Sequence, residues 1–343
     1  MKDLVFMSAQ PDDMVFSWQI ELFIENIRDL GYQNEIQVLL FTPADRMYNR
    51  NPSRFKALEK KYSGNNVKFY WYPDVANLLT YGIIPINYIP LLRPHILKQH
   101  FKRFPDLKEK AIFYHDSDII FTQYLDFSPY LSDDICYLSN TGNYMNVGYF
   151  ESKTKQVLTH KAQEYEQIDI LDQCCRFAGI TREICEKNDE VCGGAQYLLK
   201  NIDSDFWEDV ERGAYRIRNY LAYELAGINL RFFKDENDGF QSWCADMWAL
   251  LWNLWNRAYK TSVPEDFGFA WATDKIEKWN QVYFYHDAGV GAKNEFYLFN
   301  KRRPNYISNQ LLPYHDDLSH VSAGFCSYKY VQHIRAVKEK NKY

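Results

Sequence analysis

The chain is short of the residues that mark linkers and breaks. Its 343 residues hold 15 Gly and 12 Pro, and no Gly-, Ser- or Pro-rich stretch interrupts the middle, which argues against two domains on a flexible tether. No run reaches the ~18 uninterrupted apolar residues of a membrane-spanning helix. The opening "MKDLVFMSAQPDD" has an apolar run too short for a secretory signal and turns acidic at once. A soluble, cytoplasmic protein is the expectation. Positive charge is also scarce: 40 Lys and Arg against 45 Asp and Glu leave a net charge of -5. That excludes an overall basic field of the kind that holds a nucleic-acid backbone. Cysteines number seven, an odd count that suits a reducing compartment better than a disulfide framework. Cys174, Cys175, Cys185 and Cys192 crowd one segment without the paired Cys-x-x-Cys spacing of a zinc knuckle, so they are expected to be free. No G-x-x-x-x-G-K-[ST] phosphate loop occurs.

What the chain has is apolar and aromatic mass. Hydrophobic residues make up 46% and aromatics 17%, with 9 Trp, 27 Tyr and 23 Phe. That is enough to bury a large core, and flat rings also stack on sugars and bases. "DLVFMSA" reads as a strand and "DDMVFSWQIELFIENIRDLG" as a helix, with aspartates at its start and Gly31 just past its end. "EIQVLLFTP" is a second strand, "PSRFKALEKKYSG" a helix and "NVKFYWYPD" a third strand. This alternation predicts an α/β fold: a mostly parallel central sheet with helices on both faces, in one large domain. "RPHILKQHFKRF" reads as a helix leading to "AIFYHDSDIIF" as a further strand. Beyond it the pattern loosens, with a helix expected over 153–178 and a helix start at "GGAQYLLKNI".

Within "AIFYHDSDIIF", Asp116 and Asp118 interrupt an apolar run. Side chains two apart on a strand share a side, so these carboxylates converge if the strand ends near them. Unpaired, they would raise each other's pKa, and a divalent cation removes that penalty. Hard oxygen donors suit Mg²⁺ or Mn²⁺, which take one or two carboxylates together with substrate phosphate oxygens. The carboxyl ends of strands are also where open α/β sheets bind ligands. A metal–diphosphate site follows, although a bare Asp-x-Asp also occurs in solvated turns.

"FYHDSDIIF", preceded by a nucleotide-binding-like half, resembles the DxD motif of the GT-A glycosyltransferases. The resemblance implies a Rossmann-like GT-A fold, with residues 1–130 as the nucleotide-sugar half ending in the DxD strand. Residues 131–343 would form the acceptor-binding and catalytic half. It implies Mn²⁺ or Mg²⁺ held by Asp116 and Asp118 on the diphosphate of a nucleotide sugar, a UDP-sugar first among donors, with Asp116 on metal or ribose. A late histidine commonly completes the metal shell in such enzymes, and His286 in "WNQVYFYHDAGV" has that position. His115 should face the other way. The stretch "SAQPDD" after the first strand, where such enzymes hold base and ribose, offers Ser8 and Gln10.

Arg93, opening the helix before the DxD strand, can grip diphosphate oxygens in a fork. "CGGAQYLLK" provides Gly193 and Gly194 for close backbone approach by a donor or acceptor, and Gln196 for sugar hydroxyls. In "QSWCADMWALLWNLW" the tryptophans recur at helical spacing, the mark of a core stripe, yet Asp246 lies among them where GT-A enzymes place an acceptor-side carboxylate. It would be the general base of an inverting enzyme, or an orienting group in a retaining one.

The implied activity is hexosyl or pentosyl transfer from a nucleotide sugar to a hydroxyl acceptor: glycan, protein or small molecule. Hydroxymethylated DNA bases are a further acceptor class, disfavoured by the acidic charge. A haloacid-dehalogenase-like phosphohydrolase also carries Asp-x-Asp after a strand, but its motif opens the domain and precedes Thr, whereas this one lies mid-chain before "IIF". A nucleotide-sugar- or glycan-binding protein without turnover is the remaining alternative.

Overall fold

The computed structural model describes residues 2–42, 54–73, 89–158, 169–225, 239–291, 293–307 and 311–343. The first strand, β1 (Leu4–Pro11), is buried at all eight positions, as expected of a central strand covered on both faces. It leads into α1 (Met14–Asp29), whose first turn is capped by the Asp13 side chain accepting from the Val15 amide. Gly31, at φ +92, takes the left-handed turn past its end. β2 (Glu35–Thr42), α2 (Arg54–Tyr62) and β3 (Val67–Pro73) follow. The expected strand–helix rhythm of this half is therefore present, and β1, β2 and β3 pair in parallel.

After α3 (Ile89–Arg103), β4 (Ala111–His115) pairs in parallel with the other side of β1. "AIFYHDSDIIF" is thus not one strand. It stops at His115, turns through Asp116–Asp118, and resumes as β5 (Ile119–Phe121) in a different sheet. The expected single helix over 153–178 is instead α4 (Val147–Leu158) and α5 (Ile170–Ala178), with 159–168 outside the described residues.

Short strands complete both sheets: β6 (Cys136–Leu138), β7 (Tyr197–Lys200), β8 (Thr261–Ser262), β9 (Phe269–Trp271) and β10 (Phe284–His286). The main sheet has seven strands in the order β3-β2-β1-β4-β7-β6-β8, antiparallel only where β7 meets β4 and β6. A three-stranded sheet, β5-β10-β9, lies beside it. "GGAQYLLKNI" opens no helix; "YLLK" is β7. Its apolar side chains serve both faces of the sheet, a role a short strand fills as well as a helix turn does.

Alternation sorts the strand side chains into two cores. Val5, Met7, Ala9, Ile112 and Tyr114 pack with α3, α5, α6 (Ser204–Asn219) and α7 (Ala245–Asn256). Leu4, Phe6, Val38 and Phe113 pack with α1 and α2 on the opposite face. The fold is the expected α/β class, a mostly parallel sheet between helical layers. A third apolar cluster joins Trp18 and Leu22 of α1 to the small sheet and to α8 (Cys326–Asn341). Among the described residues no helix is long and apolar enough to cross a membrane.

Candidate active site

The site lies where β4 leaves the main sheet. His115, in phase with Phe113, stacks its ring on Phe23 of α1 with centroids 4.0 Å apart, away from the cavity as its alternation requires. Asp116 emerges on the other side, with Tyr114, at the floor of a cavity of about 550 Å³. Three contacts fix the turn that follows. His115 Nδ1–H donates to the Asp116 carbonyl at 2.8 Å, and Ser117 Oγ donates to Gln19 Oε1 at 2.7 Å. The Asp287 amide donates to the Asp118 carbonyl at 2.9 Å. That last bond extends the antiparallel β5–β10 ladder, in which His286 lies opposite Ile119. The ladder delivers the imidazole, 168 positions further along the sequence than Asp118, to the two aspartates.

His286 Nε2 lies 3.3 Å from Asp118 Oδ1 and 3.5 Å from Asp116 Oδ2. One ligating atom from each of Asp116, Asp118 and His286 falls within 4.8 Å of the others, the only such group found among the described residues. Two carboxylates and an imidazole, converging in this way, fit a divalent cation such as Mn²⁺ or Mg²⁺. Cationic side chains meet the same carboxylates. Arg93 Nη1 bonds Asp116 Oδ1 at 2.5 Å and stands 4.0 Å from Asp246 Oδ2. The Lys301 ammonium donates to Asp118 Oδ2.

Burial alone would lift the Asp118 pKa, but the charges of Lys301 and His286 outweigh it and hold the carboxyl well below the usual carboxylate range. Burial alone would likewise depress His286, yet Asp118, through charge and hydrogen bond, and then Asp116 raise it. Asp287 shows the opposite balance. It is fully buried, and burial pushes it up to about 6 against the pull of Lys301.

The structure brings Arg93, Asp116, Asp118, Asp246 and His286 to the wall of one cavity. Ser8 and Gln10 do not reach it. "SAQPDD" begins as strand, not loop: both residues are buried inside β1, which runs on to Pro11, and Gln10 donates its amide to the Leu39 carbonyl. Gly194 leaves no room for a ligand. A Cβ there would lie 2.7 Å from the Tyr197 hydroxyl and 2.9 Å from Met247 Cε, so the glycine serves close packing of the chain on itself. Gln196 is fully buried beneath His286, off the cavity wall. Trp248, Trp252 and Trp255 are core residues of α7, while Trp243, 53% exposed, stands at the cavity rim.

Sequence reasoning missed Lys301, Trp271 and Gln19. Trp271 stacks on the His286 ring at 5.3 Å and 25°. The run "KRR" at 301–303 was the one available signal for Lys301; nothing local distinguishes Trp271 or Gln19. The string Phe-Tyr-His-Asp, which occurs at 113–116 and again at 284–287, ties the His286 segment to the Asp116 segment in the sequence itself.

No protein-family model matches the chain, and no curated protein does. Among solved structures, a galactosyltransferase, LgtC, in complex with donor and acceptor sugar analogs, is similar at a TM-score of 0.44 and 8% identity, over 97% of this chain and 95% of that one. A likeness at that level assigns neither activity nor substrate to this chain.

Proposed function

We propose that the protein is a metal-dependent glycosyltransferase, moving a sugar from a nucleoside-diphosphate sugar to a hydroxyl acceptor. The observation that carries this reading is the convergence of Asp116, Asp118 and His286 at the floor of a cavity of about 550 Å³ that also holds Arg93, Lys301 and Asp246. Asp116, Asp118 and His286 would hold Mn²⁺ or Mg²⁺. When bound, the ion supplies positive charge to the departing nucleoside diphosphate. Lys301 and Arg93 already neutralise the two carboxylates, so a cation taking those oxygens frees an ammonium and a guanidinium beside the same point. Both then suit phosphate oxygens, the guanidinium through its planar fork. Asp246, in the first turn of α7 and on the cavity wall, faces the acceptor, either taking the proton of the attacking hydroxyl or orienting it.

In this reading residues 1–130 carry the donor and 131–343 the acceptor side, with His286 and Lys301 reaching back across the division. A UDP-sugar is the first donor to try. The seven cysteines carry no disulfide, which supports a reducing, cytoplasmic setting.

The test is nucleoside diphosphate release from a panel of UDP- and GDP-sugars with Mn²⁺, beside Asp118→Asn. The expected result is metal-dependent release from one donor, lost in the variant. Release of inorganic phosphate instead, from a phosphorylated substrate, would replace the reading with a phosphohydrolase, and donor binding without release would leave a binding protein.

A further inference from the structure

We infer that the acceptor is an amphipathic molecule, which presents its hydroxyl to Asp246 and lays an apolar tail across Trp243 and Ile307 at the cavity mouth. The inference rests on the transferase reading above and names the class of acceptor which that reading leaves open.

Among the described residues six large apolar side chains are exposed, and two of them, Trp243 at 53% and Ile307 at 47%, line the same cavity. Single apolar residues scattered over a surface need no explanation, but two at one opening do. A side chain that lines a cavity and is half exposed stands where the cavity meets solvent. Trp243 belongs to the turn Ser242–Cys244 that opens α7, three positions before Asp246. Ile307 ends the short helix Pro304–Ile307, six positions after Lys301. The mouth is thus apolar both on the element that carries the acceptor-side carboxylate and on the segment that carries the lysine.

Folding accounts for the neighbours of these two residues and not for the residues themselves. Trp248 and Trp252, on the next turns of α7, are 0% exposed members of the core. Tyr306 is 1% exposed, packs on Phe299 and Trp18, and donates its hydroxyl to Asp316. Each element is therefore anchored by a neighbouring aromatic. A polar side chain at 243 or 307 would leave those anchors in place and less apolar surface in water.

The cavity is graded from end to end. Its floor holds Asp116, Asp118, His286, Arg93 and Lys301, a charged set suited to the donor and its metal. A fully hydroxylated acceptor meeting Trp243 and Ile307 would strip water from its hydroxyls without gaining partners for them. An alkyl tail removes both side chains from water and carries no such penalty. A polar head at Asp246 and an apolar tail at the mouth match the gradient.

The test is a series of n-alkyl β-D-glucosides, methyl to octyl and below their micelle concentrations, titrated calorimetrically into the full chain with Mn²⁺ and UDP present. One head group throughout leaves tail length as the variable. The wild type is expected to gain about 4-fold in affinity for each methylene that reaches the mouth. Trp243→Ser and Ile307→Ser each cut that gain below about 2-fold. Phe296→Ser, which removes a 76% exposed apolar side chain away from the cavity wall, keeps it. The first two variants stand on different elements, so if one fails to fold the other decides. Affinity that ignores chain length overturns the inference, as does an equal loss in Phe296→Ser, the mark of unspecific adsorption. Weaker UDP binding in Trp243→Ser with the chain-length gain intact gives the indole to the donor and overturns it too. Nucleoside diphosphate release from the donor panel separates the two readings. A chain-length gain without release from any donor keeps the amphipathic site and removes the transferase; release without a chain-length gain does the reverse.

Discussion

The string Phe-Tyr-His-Asp appears at 113–116 and at 284–287, and the two copies touch: the Phe113 and Phe284 rings stack at 5.5 Å and 25°. Adjacent residues of a strand must point to opposite sides, so each copy can offer the cavity its histidine or its aspartate, but not both. The copies choose oppositely. At the end of β4 the cavity receives Asp116, and His115 is buried on Phe23. At the end of β10 it receives His286, and Asp287 is buried. Burial drives His115 down to about 4, while His286 rises against its own burial because two carboxylates face it. Four identical residues therefore serve as two complementary halves of one site. What differs is the neighbouring element each strand end meets, α1 for His115 and the Asp116–Asp118 turn for His286.

The strongest way to break this comparison is to remove each histidine in turn. His286→Asn is expected to lower Mn²⁺-dependent donor cleavage by more than about 100-fold, beyond the range for residues that only support ligands. His115→Phe keeps a ring on Phe23 but gives up the bond from Nδ1–H to the Asp116 carbonyl; with the other two ties on the turn in place, cleavage should fall by no more than about 10-fold. Steady-state kinetics on both, with circular dichroism to confirm folding, decides; equal losses would deny the copies separate roles. Lys301→Met sharpens the electrostatic side. Without the competing ammonium on Asp118, Mn²⁺ binds more tightly in the absence of donor, whereas donor cleavage slows by about 10²-fold as a group facing the leaving charge is lost. Calorimetric titration showing weaker Mn²⁺ binding in Lys301→Met would mean that the lysine does not compete for that carboxylate.

The first half of the fold was legible because its strands are continuous apolar runs buried on both faces and its helices carry their own caps, as Asp13 and Gly31 do for α1. The second half was not, since β6 to β10 are two to four residues long, too short for a periodicity to register. Asp116 and Asp118 stood out because acids interrupt an apolar run. Ser8 and Gln10 misled because β1 continues to Pro11 and buries them. Lys301 reaches Asp118 across 183 positions, and no local pattern announces a contact made only by the tertiary fold. Gln196 was read as a sugar contact; its burial under His286 depends on β7 lying antiparallel to β4, a pairing the sequence did not display.

The two histidines should also pull stability in opposite directions with pH in the metal-free protein. His115 falls from 6.5 to about 4 on folding, so its contribution is complete above pH 6.5 and is lost as pH falls toward 4. The loss is on the order of 3 kcal/mol. The raised His286 contributes below its unfolded pKa, and that contribution is lost as pH rises through its folded value. Urea unfolding across this range should therefore show the wild type losing stability relative to His115→Phe as pH falls from 6.5 to 4. Against His286→Asn, the wild type should lose stability as pH rises above 6.5. Parallel curves would mean that neither ring senses the environment described.

The smallest expected effect concerns the residue that follows each string. After Asp116 comes Ser117; after Asp287 comes Ala288. Ser117→Ala makes the first copy read as the second does. The serine is 5% exposed, and its hydroxyl donates at 2.7 Å to Gln19, itself 2% exposed. Removing the hydroxyl costs about 1–3 kcal/mol, the range for withdrawing one partner of a buried pair. The turn keeps its two other ties, from His115 Nδ1–H to the Asp116 carbonyl and from the Asp287 amide to the Asp118 carbonyl, which the substitution leaves in place. Denaturant unfolding should register the lost bond, while Mn²⁺ affinity moves only a few-fold. If Ser117→Ala instead abolishes Mn²⁺ binding as completely as His286→Asn, the aspartates are held in register by the Ser117–Gln19 contact and not by the β5–β10 ladder, and the difference between the two copies would lie in that one hydroxyl.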